Sequence, residues 1–248
     1  MAGIIAHGPG LFRCARMAVT IMNIEIYVGI VQFAVLLLSL SVHESAHAWT
    51  ADRLGDPTAR YLGRVSLNPI VHADLMGTIV FPLIGIFALG GAMFGWAKPV
   101  PVNVSRLRHP VRDHMMVAAA GPVSNVLVAV ILFTFLMIMK SFSSNGAEMI
   151  YSVAAGRISG ESTLVPLTVV AYHGMMLNLL LAVFNLIPVA PLDGAAVLSG
   201  LLPRSLANVL DQIQSYGFML LIALLYLGVP GMLFYPLRDF VLSYLVSI

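Results

Sequence analysis

Charge is what this chain of 248 residues most conspicuously lacks. Only 10% of its residues are Asp, Glu, Lys or Arg, while 59% are hydrophobic and the mean hydropathy is +0.94. A soluble domain is about a quarter charged. So few charges cannot cover a water-facing surface, which excludes an ordinary soluble domain and predicts a polytopic protein in a lipid bilayer. The net charge is +2 with no basic tract, so no nucleic-acid partner is expected. Cysteine is nearly absent too. Cys14 alone can form neither an internal disulfide nor a thiolate cluster, so a metal site must draw on the seven His and eleven Asp and Glu. The first 23 residues hold Arg13 and Arg16 but lack an apolar run ending in a small-residue cleavage site, and they read as a lead-in, not a removable signal peptide. No repeat, low-complexity tract or linker interrupts the rest. The expected organisation is a lead-in over 1–23, one core over 24–203, and a C-terminal span and tail over 204–248.

Four segments are long and apolar enough to cross about 30 Å of hydrocarbon at about 1.5 Å per residue. They are 24–50, 113–139, 163–187 and 206–228; the tail over 232–248 reads as a short fifth span or an interfacial helix. The apolar stretch 75–94 differs. Gly77, Pro82, Gly85, Gly90 and Gly91 interrupt it, which is poor chemistry for a helix interior. Residues 95–103 then read as a strand in which Pro99 and Pro101 blunt one edge, leaving donors at Lys98, Val100 and Val102 on the other. The predicted fold class is an all-α polytopic membrane protein of four to five transmembrane helices, with a small membrane-associated β or re-entrant element at 75–103.

His43-Glu44-Ser45-Ala46-His47 is an HExxH sequence at the end of the first span. On a helix, residues four apart lie about 40° apart in azimuth and one turn apart in height, so both imidazoles can share one Zn²⁺ with Glu44 beside them as general base. A bland reading is two ordinary helix histidines. The surroundings weigh against it: His43 lies about 28 Å along the span from Ile24, near its far boundary, and ionisable groups in a membrane are costly. Trp49 follows as an interface anchor. A third ligand is required. Asp193 is the foremost candidate, between Pro191 and Gly194 where the third span stops, although an Asp there is equally a helix cap. His72, Asp74, His109, His114 and His173 stay open as alternatives.

These residues resemble the site-2 protease family. The HExxH at 43–47, Gly121-Pro122-Val123-Ser124-Asn125 opening a second helix, and Asn185 through Pro188, Pro191 and Asp193-Gly194 closing a third carry the resemblance, over roughly 24–200. Gly55-Asp56-Pro57, Asn68-Pro69 and 95–103 are similar to a compact bacterial branch without PDZ or CBS domain. The resemblance implies an intramembrane protease core, with His43, His47 and Asp193 as zinc ligands, Glu44 as catalytic base and Asn185 near the reacting carbonyl. It also implies single-pass membrane proteins as substrates. On their own chemistry, Gly121 permits close helix contact, Pro122 a kink, and Asn125 an interhelical bond.

Topology gives a separate test. One ion bound by His43, His47 and Asp193 needs the first and third spans to end at the same face, so 51–112 must leave and return on one side and 75–94 cannot cross. That side then carries Arg53, Arg60, Arg64, Lys98, Arg106, Arg108, Arg112 and Arg204, and the other Arg13, Arg16, Lys140 and Arg157, plus Arg238 if the tail follows. Eight against five favours a cytoplasmic active-site face, and the resemblance to the bacterial branch implies a bacterial inner membrane. Two other classes stand beside the protease: a zinc or proton-coupled metal transporter, which would want ligands on several spans near the midplane and repeats, and a non-catalytic membrane scaffold, against which the intact Glu44 argues.

Overall fold

The computed structural model describes residues 9–88, 95–158 and 162–246. Helix α1 runs Pro9–Arg53. Two short helices follow, α2 (Thr58–Tyr61) and α3 (Pro69–His72), then a π-helical stretch Leu75–Val80 leading into α4 (Phe81–Ala88). After a 3₁₀ turn at Val104–Arg106 come α5 (Pro110–Phe142), α6 (Gly146–Ala154), α7 (Leu164–Asn185), α8 (Asp193–Leu201), α9 (Arg204–Gln214), α10 (Gly217–Tyr226) and α11 (Val229–Val246). Strands are absent among the described residues.

Among the described residues, three single helices are long and apolar enough to cross a membrane: Ile24–Arg53, Pro110–Phe142 and Leu164–Asn185. They pack on one another, with α5 against both α1 and α7, and α8 folds back onto α5. The core they share with α6 and α11 is apolar, built on Leu136, Ile150, Val169, Met175 and Leu245. Gly174 lets α7 approach α5, because a Cβ there would meet the Leu132 side chain.

The fourth expected span, 206–228, is present as a bent pair: α9 and α10 are together long and apolar enough to cross, but they meet at 74°, as a broken span or a re-entrant loop does. The cause is compositional. Leu206, Val209, Leu210 and Ile213 recur on one face of α9, while Arg204, Asn208 and Gln212 occupy the other, so α9 is amphipathic and unsuited to hydrocarbon on all sides. Helix α10 is apolar, but its 10 residues reach only about 15 Å. The tail forms α11, which carries Pro236 within it and packs on α6 and α7; it is not among the helices apolar enough to cross.

Segment 75–88 is helical where glycine and proline argued against a helix interior, because Asp74 caps it by accepting from Met76 N (3.1 Å) and Gly77 N (2.7 Å). Its apolar run, Leu75–Phe87, is about 20 Å long and too short to cross. Residues 89–94 of the expected re-entrant element lie outside the described residues. The strand expected over 96–103 needs correction. Among the described residues no second strand pairs with it, and the segment is an irregular strap held by other partners. Trp96 N donates to Gly77 O (3.1 Å), Thr78 Oγ1 donates to Trp96 O (2.8 Å), and Lys98 N donates to His72 O (2.9 Å). Gly77 is required under this strap, since a Cβ there would collide with the Trp96 ring.

Candidate metal centre

The last turns of α1 carry His43 and His47 on one face, both buried, with ring centroids 4.6 Å apart and planes at 84°. Asp193 reaches them from the first turn of α8. The chain enters that turn through Ile187, Val189 and Leu192, which are buried against Leu221 and so anchor the segment after α7. Gly194 fits only without a side chain, since a Cβ would strike Leu186 O and Ile187 O. Asp193 is the first residue of α8, and the N-cap position before it is Leu192, so the aspartate does not sit where a capping side chain would. Its carboxylate turns instead to the imidazoles, with Oδ2 3.1 Å from His43 Nε2 and Oδ1 3.4 Å from His47 Nε2. The two Nε2 atoms are 3.0 Å apart.

The far nitrogens of the rings decide what these atoms can do. His47 Nδ1 lies 2.7 Å from Val117 O and His43 Nδ1 lies 2.5 Å from Asn125 Oδ1. A carbonyl oxygen can only accept, so each Nδ1 carries the proton and each Nε2 keeps its lone pair. The orientation of the Asn125 amide is set by its own donations, to Asn178 Oδ1 (2.7 Å) and Ser39 O (3.5 Å). Asn178 in turn donates to Ser39 Oγ and Gly174 O, both at 2.8 Å. This network ties α1, α5 and α7 together behind the histidines, and the sequence reading had not singled out Asn178 or Ser39. An amide and a hydroxyl facing each other mid-span were the available signal.

Three groups thus point acceptor atoms at one place, and among the described residues the buried Asp193 Oδ2 has no hydrogen-bond partner. A carboxylic acid is ordinarily ionised at neutral pH, so Asp193 brings a negative charge to this point. Converging lone pairs and an anion repel unless a cation lies between them. One ligand atom from each of the three residues falls within 4.8 Å of the others. A tetrahedral Zn²⁺ with bonds of about 2.0–2.1 Å separates its ligand atoms by about 3.3 Å. The observed separations of 3.0, 3.1 and 3.4 Å fit it.

Helix α5 is shaped to admit the rings. A Cβ on Gly121 would fall onto His47 Nε2 and Cε1 and His43 Cε1. Pro122 lacks an N–H, so the carbonyl of Ala118, next to Val117, has no i+4 donor. Gly121→Ala is therefore expected to push zinc below one per chain, read by metal analysis. Asn125→Ala, which strips the partner from His43 Nδ1, is expected to weaken zinc binding by about 10–100-fold in a competition titration.

Glu44 sits beside the ligands, and its Oε2 accepts from Val100 N at 3.0 Å. The strap edge read from the sequence as open is therefore not open: Lys98 N–H is committed to His72 O and Val100 N–H to Glu44. Val102 lines the cavity. Asn185 also lines it, with Nδ2 donating to Leu181 O in its own helix (3.0 Å). The cavity is about 600 Å³, walled by the strap, the metal centre, and Leu181 and Phe184 of α7. Of the alternative ligands, only His114 lines it. His72 bonds Ser66 O, Asp74 caps the π-helical stretch, His109 bonds Asp113 through its backbone, and His173 pairs with Gln32.

A bundle of membrane-crossing helices with a His–His–carboxylate centre beside a glutamate defines a membrane-embedded metallohydrolase. The model of peptidase family M50 matches residues 31–228, and the chain belongs to that family, the site-2 proteases. It is similar to "Putative zinc metalloprotease YwhC" of Bacillus subtilis, 35% identical over 82% of this chain and 84% of that protein. It is also similar to "Putative zinc metalloprotease Rip2" of Mycolicibacterium smegmatis, 30% identical over 89% of this chain and 79% of that protein. No solved structure matches it significantly. The protein is thus a site-2-type metalloprotease integral to a membrane, and its cofactor is Zn²⁺.

Proposed function

We propose that this metalloprotease is an endopeptidase that hydrolyses the transmembrane segments of single-pass membrane proteins near the cytoplasmic face of a bacterial inner membrane. The observation that carries the reading is a zinc-fitting centre and a glutamate inside a cavity walled by crossing helices. His43, His47 and Asp193 would hold the ion. Bound there, zinc supplies Lewis acidity toward the scissile carbonyl and the attacking water. Glu44 takes the proton from that water and returns it to the leaving amine. The Asn185 amide, on the cavity wall, is suited to donate to the carbonyl oxygen as charge develops there.

The substrate must arrive unwound. A helix hides its carbonyls in i→i−4 bonds, and one turn of about 10–12 Å diameter and 5.4 Å pitch already has about the volume of this cavity. An extended segment beside Lys98, Val100 and Val102 fits better, with Val102 on the cavity wall. Placing the cytoplasm on the active-site side rests on the eight-to-five excess of basic residues.

The test is reconstitution in proteoliposomes with a single-helix substrate, the cut mapped by mass spectrometry. Cleavage inside the apolar segment, towards its cytoplasmic end, supports the reading. Cutting confined to water-exposed loops, or at the opposite end, would overturn it.

A further inference from the structure

Asp56 is fully buried in the turn after α1, where the charge of Arg106 favours its ionised form. Such a carboxylate persists in a fold only with specific donors, and it has three. Oδ1 accepts from Thr58 N (3.1 Å) and Thr58 Oγ1 (2.5 Å), which is a local turn contact. Oδ2 does something else: it accepts from Asn103 N at 2.6 Å, 47 residues along the chain. Burial alone would raise the pKa of Asp56. The bonds from Thr58 and Asn103 outweigh it and hold the carboxyl below the usual range, so it is ionised at neutral pH.

Asn103 ends the strap whose Val100 N–H meets Glu44. That strap is tied at Trp96 and Lys98 to the segment 72–78, and at its far end to Asp56. Between those anchors, Val100 is the residue that meets the catalytic base. With Oε2 of Glu44 held, Oε1 is left to receive the proton. We infer that Asp56 is a positioning residue for the reaction: by fixing Asn103 it holds the strap so that the Val100 N–H aligns the Glu44 carboxylate. This rests on the reading of Glu44 as the base. It assigns the strap to the enzyme's own catalytic frame and gives a buried acid about 47 residues upstream a part in it.

In proteoliposomes with a single-pass substrate, Asp56→Asn turns an amide NH₂ or a weaker neutral acceptor towards Asn103 N while keeping the shape of the side chain. The expected result is a kcat lower by about 10–100-fold, the loss that follows a small misplacement of a reacting group. KM should stay within twofold, with one zinc per chain retained. Val100→Pro deletes the N–H at Glu44 directly. Its neighbours Pro99 and Pro101 already lack theirs, so the variant tests the same link without touching Asp56. It should show the same kcat loss, and the double variant should be no worse than Val100→Pro alone, since both cut one chain of contacts. Asp56→Glu should recover part of the rate. An unchanged kcat in both single variants overturns the inference. So does a rise in KM with kcat intact, which would make the strap a substrate edge. Glu44→Gln runs alongside: if that variant cleaves at the wild-type rate, it is the base assignment that fails, not the positioning.

Discussion

Glu44→Gln should keep one zinc per chain and lose cleavage by about 10²–10⁴-fold, the range that a positioned general base contributes. The substitution preserves shape, and its amide oxygen can still accept from Val100 N, so the strap contact at 3.0 Å survives. None of the groups converging on the metal position changes: the two Nε2 atoms and the Asp193 carboxylate remain. What disappears is a group able to take a proton from water and give it to an amine. The measurement pairs metal analysis with single-turnover cleavage. Loss of zinc together with activity would mean that Glu44 helps build the centre. Full activity with zinc retained would remove the general-base mechanism. A transporter would lose metal flux on the same change, and a scaffold would lose nothing.

Asp193→Ala should be the second severe lesion, and its signature differs. With the carboxylate gone, two neutral imidazoles 3.0 Å apart face each other without the anion that balances a divalent ion. Zinc affinity should fall by more than about 100-fold, beyond what losing a group behind the ligands costs, and cleavage should fall to background. Raising free zinc should restore part of the activity, which it cannot do for Glu44→Gln. The contrast lies in the other histidines. His72 bonds Ser66 O and His173 pairs with Gln32, both away from the centre, so His72→Ala and His173→Ala should keep their zinc. Zinc loss from either of these, or full occupancy in Asp193→Ala, would overturn the ligand set.

The HExxH was legible because its geometry is local. Helical spacing alone puts His43 and His47 on one face, and a membrane context makes such a cluster expensive without a use. Asp193 was legible only as a choice between two roles. A cap and a ligand look alike in sequence, and the difference is whether the carboxylate turns to its own helix or to α1. The strap was misread for a related reason: alternate prolines and free N–H groups describe an edge, but they do not say whether an edge meets a strand, a helix terminus or a glutamate. The break between α9 and α10 was hidden because an averaged hydropathy over 206–228 blends an amphipathic half with an apolar half.

By composition and short-range periodicity the sequence alone determined a membrane protein with a histidine pair and a glutamate on one helix. Those properties depend only on residue type and on the 3.6-residue repeat. Tertiary structure decided what completes them: the Asp193 carboxylate opposite the rings, Asn125 and Val117 behind them, the Gly121 surface that admits them, and the Val100 N–H on the Glu44 carboxylate. Each is a contact between residues tens of positions apart. Such contacts follow from how α5, α7 and the strap pack around α1, and a one-dimensional pattern does not carry them.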